Sequence, residues 1–447
     1  MPTIGLISLG CDKNRINAEQ MLWQLKDAGY EIVDIPEMAD IVIVNTCSFI
    51  EAAKEEAIEN ILEIAAAKKS NRTGSIGGNV EKIIVTGCLA ERYREEILKE
   101  LPEVDGIVGC GSYDNIVEAV ESVLEGEKPC LFGDPNDKIS EVPRFRTGPA
   151  YSAYLKVAEG CDNRCSYCVI PMLRGRYRSR RIEDILQEAN ELAESGVKEL
   201  ILVAQDLTRY GLDLYKERKL PQLLEQLCRI EKIEWIRLHY LYPEEVTDEL
   251  ISTIKHQNKI LKYLDIPIQH INDGILRRMN RRSNGRSIRD LIKKLRREID
   301  GVCIRTTIIV GFPGEDEEAF TELCAFLREA RIERAGFFAF SPEEGTRAYD
   351  MPDQVSPEEI NRRLEVLADI QDQVMHEYNL SRLGKVYDVL CEGYDPLIRH
   401  YYGRTYADSP DIDGKVFFRG NRPVNEGDIV EVIMEDVLDG DLVGTLM

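Results

Sequence analysis

The chain has 447 residues, enough for roughly three domains of about 150 residues each, and its 43% hydrophobic and 31% charged composition excludes wholesale disorder. With 57 basic against 80 acidic residues the formal charge is -23, which opposes broad affinity for nucleic-acid phosphate and favours a protein or small-molecule substrate. No apolar run approaches the roughly 18 to 20 residues of a membrane helix, and the opening Met1-Pro2-Thr3-Ile4-Gly5 lacks the basic and apolar regions of a secretory signal, so a cytoplasmic protein with no membrane contact is expected.

In chain order, short β-branched runs at 4–9, 41–44 and 83–85 alternate with helical patterns at 16–28 and 50–67. This alternation predicts a parallel sheet in an α/β domain over residues 1–126. Prolines and glycines then break any period and predict a linker over 127–150. From Tyr151 strands are expected at 155–157, 199–203, 235–238, 263–266, 305–310 and 336–340, each followed by a helical pattern, the last from Pro357 to about Leu383. Such a repeat predicts a partial βα barrel over 151–378. Short strands with Gly turns at 387–390, 415–418 and 428–434 predict a small β-barrel over 379–447.

Twelve cysteines are too few for a disulfide scaffold and point to metal or redox use where they cluster. Cys161-Asp162-Asn163-Arg164-Cys165-Ser166-Tyr167-Cys168 has C-x3-C-x2-C spacing in the loop after the first strand of the central domain. Three thiolates so placed can close on three irons of a 4Fe-4S cubane and leave the fourth open, as radical S-adenosylmethionine enzymes do. A structural zinc would want a fourth protein ligand, and no further Cys or His lies close in sequence. Structural or zinc-bound cysteines are the alternative.

Cys11, Cys47 and Cys88 are 36 and 41 residues apart, with no local motif, so buried apolar cysteines are one reading. Each nevertheless follows a predicted strand directly, at Gly10-Cys11, Asn45-Thr46-Cys47 and Gly87-Cys88, and ligands gather at the carboxyl ends of parallel strands. Their common place points to a second three-cysteine cluster site. Cys110, Cys130, Cys228, Cys303, Cys324 and Cys391 are expected to pack in the core.

Ser8-Leu9-Gly10-Cys11-Asp12-Lys13-Asn14, Asn45-Thr46-Cys47, Gly87-Cys88-Leu89-Ala90-Glu91-Arg92, the triplet within 159–171 and Gly311-Phe312-Pro313-Gly314-Glu315 together resemble the methylthiotransferase family over essentially the full length. The resemblance implies an N-terminal α/β cluster-binding domain, a central radical S-adenosylmethionine partial (βα)6 TIM-like barrel, and a small antiparallel C-terminal β-barrel (TRAM) that holds the macromolecular substrate. It implies two 4Fe-4S clusters: the catalytic set on Cys161, Cys165 and Cys168, and an auxiliary one on Cys11, Cys47 and Cys88. By the same resemblance two S-adenosylmethionines are used, with an external flavodoxin- or ferredoxin-like electron donor. One methylates a sulfur at the auxiliary cluster; the other is cleaved to a radical that takes a hydrogen no protein base could remove.

Members of the family modify either an adenosine of transfer RNA or the β-carbon of an aspartate in the small-subunit ribosomal protein S-twelve. Residues 403–414 and 441–444 look like the barrel of the protein-modifying branch. From Asn379 to Met447 seven basic residues stand against thirteen acidic ones, which suits a basic ribosomal protein, free or in the ribosome. A non-catalytic iron-sulfur binding or assembly protein is the remaining alternative. A local basic run of Arg277, Arg278, Arg281, Arg282, Arg286, Arg289, Lys293, Lys294, Arg296 and Arg297 leaves contact with ribosomal RNA open, although without interleaved aromatics a solvated helix face is the plainer reading.

Cofactor contacts are expected from Tyr167 between two cysteines, from Gln205 and Asp206 at one strand end, and from Gln269, beside His270, at another. Gly311, Gly314 and Glu315 join them, the glycines allowing close backbone approach and the glutamate supporting the first turn of a helix. Arg174, Arg176, Arg178, Arg180 and Arg181 alternate after the triplet, as carboxylate clamps or as surface pairs. His239, His256, His376 and His400 carry no expected function.

Overall fold

The structure is a computed structural model that describes residues 2–68 and 78–447. Strands β1 (Thr3–Ser8), β2 (Glu31–Ile32), β3 (Ile41–Thr46), β4 (Lys82–Gly87), β5 (Gly106–Val108) and β6 (Cys130–Leu131) form a parallel sheet in the order β2-β1-β3-β4-β5-β6. Every residue of β3 is buried, as a central parallel strand covered on both faces must be. Its side chains alternate between two cores. Val42 and Val44 join Ile61 of the helix Glu51–Ala66, while Ile41 and Ile43 join Met21 and Leu25 of the helix Asp12–Asp27. Burying each such aliphatic side chain contributes about 1.5–3 kcal/mol.

The stretch 127–150, expected as a linker, supplies the edge strand β6 and stays bonded to the first helix. Phe145 N–H donates to the Glu19 carbonyl at 2.9 Å and Thr147 N–H to Glu19 Oε1 at 3.0 Å. A strand of two residues has no period to read, so the sequence there shows only its turn residues.

Farther along come β7 (Ser152–Lys156), β8 (Ala158–Glu159), β9 (Arg178–Ser179), β10 (Glu199–Val203), β11 (Trp235–Leu238), β12 (Ile260–Asp265), β13 (Cys303–Val310) and β14 (Arg334–Ala339). β8 and β9 pair as an antiparallel ribbon either side of the cysteine triplet. The other six form one sheet in the order β14-β13-β12-β11-β10-β7, parallel from β10 to β14. β15 (Val386–Asp395), β16 (His400–Arg404), β17 (Val416–Arg419), β18 (Ile429–Leu438) and β19 (Asp441–Leu446) then close a barrel, antiparallel except for the pair β17 and β19.

The chain forms two compact units that do not follow chain order. Residues 1–147, 156–184 and 341–349 form one, and residues 148–155, 185–340 and 350–447 the other. The triplet loop thus belongs to the unit of the N-terminal sheet. In the second unit buried ion pairs fasten the barrel to its sheet. Glu199 of β10 accepts from Arg237 at 3.0 Å and Arg404 at 2.9 Å, and Arg334 of β14 donates to Asp408 at 2.6 Å. No helix among the described residues is long and apolar enough to cross a membrane.

Candidate functional site

Parallel register levels the three N-terminal cysteines. Ser8 lies opposite Asn45 and Asn45 opposite Thr86, so β1, β3 and β4 run out together, and Cys11, Cys47 and Cys88 follow within three residues of that row. The long sequence separations are therefore βα crossovers between neighbouring strands. Gly10 has φ +87°, and a Cβ there would stand 2.6 Å from Cys47 Cβ, so only glycine lets the Cys11 turn lie against Cys47. Burial, reinforced by the neighbouring Cys88, pushes the Cys47 thiol up to about 12; Cys11 adds to this.

Asn14, in the first turn of the helix that begins after Cys11, ties these turns together. Its Nδ2 donates to the carbonyls of Leu9 at 2.8 Å and Thr46 at 3.2 Å, and its own carbonyl accepts from Asn45 Nδ2 at 2.8 Å. Asn45 Oδ1 in turn accepts from Thr86 Oγ1 at 3.2 Å. Nothing in the sequence alone distinguishes either asparagine side chain, although Asn14 sits inside the opening motif.

The triplet loop reaches the same network through Arg174. This buried side chain ends the short helix Ile170–Arg174, which starts two residues after Cys168. It donates to Asn17 Oδ1 at 2.8 Å, Asn14 Oδ1 at 3.0 Å, Glu159 Oε2 at 3.3 Å and Cys88 Sγ at 3.5 Å. Of the five alternating arginines, Arg174 thus meets a cysteine sulfur. Arg180 is buried on Glu141 and the Lys156 carbonyl, Arg178 bonds the Pro135 carbonyl, Arg181 pairs with Asp184, and Arg176 is exposed beside Asp162.

Cys110, expected as a packing residue, packs in the apolar cluster of Cys88, Val169 and Leu173. The neighbouring Cys110, with Arg174, outweighs burial and lowers the Cys88 thiol. Tyr113 Oη donates to Cys110 Sγ at 3.4 Å, and Glu91 Oε2 accepts from Cys110 N–H at 2.8 Å. β5 is only three residues long, so the turn that carries Cys110 beside Cys88 leaves no periodic trace.

In the triplet, Cys161 and Cys165 are buried and Cys168 half-buried. Burial, then the neighbouring Cys165 and Cys161, raise the Cys168 thiol well above its ordinary range. A thiol crowded by two neighbouring thiols suits a cationic partner that takes it as thiolate. Among the described residues no three His, Cys, Asp or Glu side chains are grouped so as to hold a metal ion. Tyr167 lies half-buried between Cys165 and Cys168.

In the second unit, Gln205 and Asp206 follow β10. Buried Asp206 accepts from the Thr208 N–H at 3.1 Å and from the Thr208 hydroxyl, capping the turn Leu207–Arg209. Gln269, beyond β12, is held at φ +71° by backbone bonds of 2.9 Å to Thr307 and Ile309. Its buried Oε1 has no hydrogen-bond partner among the described residues.

Glu315 is buried. It accepts from Gly311 N–H at 3.1 Å and Arg363 Nη1 at 2.7 Å, and lies 3.4 Å from His270 Nε2. The expected helix begins two residues later, at Glu317, with Asp316 accepting from Ala319 N–H at 2.8 Å, so Glu315 fastens the loop instead of the helix's first turn. At Gly314 a Cβ would meet Arg278 at 2.7 Å, and at Gly311 it would strike Ile360.

Residues 155–327 match the radical SAM superfamily, residues 3–109 an uncharacterized protein family, UPF0004, and residues 383–447 the TRAM domain. Among solved structures, the radical S-adenosylmethionine methyltransferase TsrM from Kitasatospora setae aligns with a TM-score of 0.55 at 15% identity, covering 75% of this chain and 73% of that one, a likeness of fold. The sheet, the C-x3-C-x2-C loop and these matches define a radical SAM protein with a TRAM barrel. The chain is 49% identical over 445 residues to the ribosomal protein uS12 methylthiotransferase RimO of Caldanaerobacter subterraneus subsp. tengcongensis, covering 99% of this chain and 100% of that one. It is 50% identical over 444 residues to the RimO of Pelotomaculum thermopropionicum, covering 99% and 98%. The chain belongs to the RimO family of methylthiotransferases.

Proposed function

We propose that this chain attaches a methylthio group to the β-carbon of an aspartate in ribosomal protein uS12, the S-twelve protein of the small subunit, in the cytoplasm. The observation that carries this is the gathering of two cysteine sets, remote in sequence, into one compact unit where Arg174 joins the triplet loop to Cys88. Its full-length identity with the uS12-modifying relatives supports the same substrate.

Cys161, Cys165 and Cys168 would hold one 4Fe-4S cluster, open at one iron to S-adenosylmethionine, and Cys11, Cys47 and Cys88 an auxiliary one. When bound, these groups would pass on the electron that cleaves the cofactor and hold the sulfur that is transferred, chemistry beyond any side chain. The chain's own residues do the positioning. Gly10 and Asn14 fix the Cys11 and Cys47 turns, Arg174 presents an N–H group to the Cys88 sulfur, Cys110 packs against it, and burial of Cys161 and Cys165 keeps water from them.

For S-adenosylmethionine we assign Tyr167, Gln205, Asp206, Gln269, Gly311, Gly314 and Glu315. Gln269 Oε1 is an acceptor awaiting a donor, while Asp206 and Glu315 act through the turns they fasten. The electron comes from an external flavodoxin- or ferredoxin-like protein. The acidic C-terminal barrel suits a basic protein substrate.

The test is anaerobic reconstitution with iron and sulfide, then incubation with reductant, S-adenosylmethionine, purified uS12 and bulk transfer RNA, read by mass spectrometry. A methylthio gain on one uS12 aspartate is expected. Gain on RNA alone would overturn the assignment.

A further inference from the structure

We infer that Arg174 is a positioning residue for the auxiliary cysteine site: it sets the charge around the Cys88 sulfur and holds that site in register with the cysteine triplet. This rests on the proposed role of Cys88 as a cluster ligand and goes beyond it, because Arg174 is not a ligand.

Geometry places the guanidinium where both sets are felt. Arg174 stands six residues after Cys168 in the chain, yet its donors reach Asn14 and Asn17 on the helix that follows Cys11, and the Cys88 sulfur at the end of β4. Asn14 is itself bonded to the Leu9 and Thr46 carbonyls, so a shift of the triplet loop passes through Arg174 to all three auxiliary turns. Val169 and Leu173, from the same loop, pack in one apolar cluster with Cys88. A planar fork held by four partners has no freedom to follow one set without the other.

The surrounding charges show where the cation is directed. Glu159 is the carboxylate beside Arg174, and Lys156 Nζ already donates to it at 2.9 Å. Arg174 shares Glu159 with Lys156, which lies closer to it, at 2.9 Å against 3.3 Å, so part of the Arg174 charge is left to the Cys88 sulfur. Cys110 also packs against Cys88, but it is a thiol attached to the N-terminal sheet and brings no cation. Cation and N–H donation at a cluster sulfur favour the more negatively charged, reduced state and so raise its potential.

The experiment uses the full chain with Cys161, Cys165 and Cys168 changed to Ala, reconstituted so that the auxiliary site alone carries iron. Iron and acid-labile sulfide per chain are measured, and a potentiometric titration is followed by electron paramagnetic resonance, for parent, R174K and R174Q. Expected are retained iron in both variants, a potential moved to more negative values in R174Q, and a smaller move in R174K, which keeps the charge but not the fork. An R174Q potential equal to the parent's, with full iron, would overturn the inference. Loss of iron from both variants together with a lowered unfolding temperature would reduce Arg174 to a structural strut and also overturn it. C88A in the same background separates the two levels. Iron retained by C88A strikes the ligand reading itself, whereas iron lost from C88A with no effect of R174Q strikes only the role of Arg174.

Discussion

Asn45 Nδ2 donates to the backbone carbonyl of Asn14 at 2.8 Å, and with the Asn14 Nδ2 bond to the Thr46 carbonyl it fixes the end of β3, next to Cys47, to the helix that starts after Cys11. Asn45 is fully buried, and its Oδ1 also accepts from Thr86 one strand over. Asn45→Ala would strand the buried Thr86 hydroxyl, at about 1–3 kcal/mol, remove the second donor from the Asn14 carbonyl, which keeps its helix bond, and leave a cavity among buried turns. The expected result is a loss of about 2–4 kcal/mol in urea unfolding and fewer irons per chain after reconstitution. Unchanged iron uptake would mean that the three turns hold their places without the asparagine clasp.

A second prediction concerns acid. Burial alone would raise the pKa of Glu199, but Arg404 and Arg237 outweigh it and bring it from 4.5 to about 2. A folded-state pKa below the unfolded one stabilises above about pH 4.5, and that stability is lost as the pH falls toward 2. By linkage this is worth about 3 kcal/mol at pH 7. Asp408, also buried, is held at about 2 by Arg382 and Arg334 and acts in the same direction. Urea midpoints should therefore drop steeply between about pH 5 and pH 3. Glu199→Gln should be less stable at pH 7 and show a flatter profile; a slope equal to the parent's would contradict the Glu199 contribution.

These pairs illustrate what the sequence leaves unread. The strands that carry Cys11, Cys47 and Cys88 are visible because β-branched runs bounded by turns have a local cause, and so are the six strands of the second sheet and the triplet loop. Arg174 is visible only as one of five alternating arginines. What distinguishes it, four partners drawn from the helix Asp12–Asp27, β8 and the end of β4, is set by tertiary packing. Glu199 and Arg404 are 205 residues apart and leave no mark on local pattern. Cys110 has apolar neighbours that give it the look of a packing residue, and its approach to Cys88 comes from sheet order alone. Gly311 and Gly314 are legible as glycines that admit a close approach, but Ile360 and Arg278 already occupy the space a side chain would need.

Glu315 offers a third prediction. Its carboxylate satisfies the Gly311 N–H and faces both Arg363 and His270 in a buried cluster. Removing one partner of a buried pair leaves the other uncompensated, at about 3–5 kcal/mol. Glu315→Ala should fall near the lower end, because Arg363 keeps Glu359 at 2.7 Å. Glu315→Gln should lose less, since an amide oxygen still accepts from Gly311. Thermal and urea unfolding of the two variants measure the order; an alanine variant as stable as the glutamine one would show that the carboxylate carries no such load.

The basic run from Arg277 to Arg297 yields the last prediction. Most of its cations face carboxylates of the same unit: Arg282 reaches Glu245 at 2.6 Å, Arg296 reaches Glu333 at 2.9 Å, Lys294 meets Asp248, and Arg289 lies 3.7 Å from Glu329. Arg286 and Lys293 are the outermost, with side chains 93% and 70% exposed and partners at 3.8 and 3.9 Å, too loose to neutralise their charge. If the run is a solvated face, R286A/K293A should modify free uS12 and uS12 in assembled small subunits at rates within about twofold of the parent, with the same dependence on salt. Were either cation seated on a phosphate, its removal would instead make the salt slope shallower by close to one. A tenfold loss confined to assembled subunits, with a shallower slope, would turn this face into an RNA-binding surface and show that the negative net charge of the whole chain had hidden a local positive one.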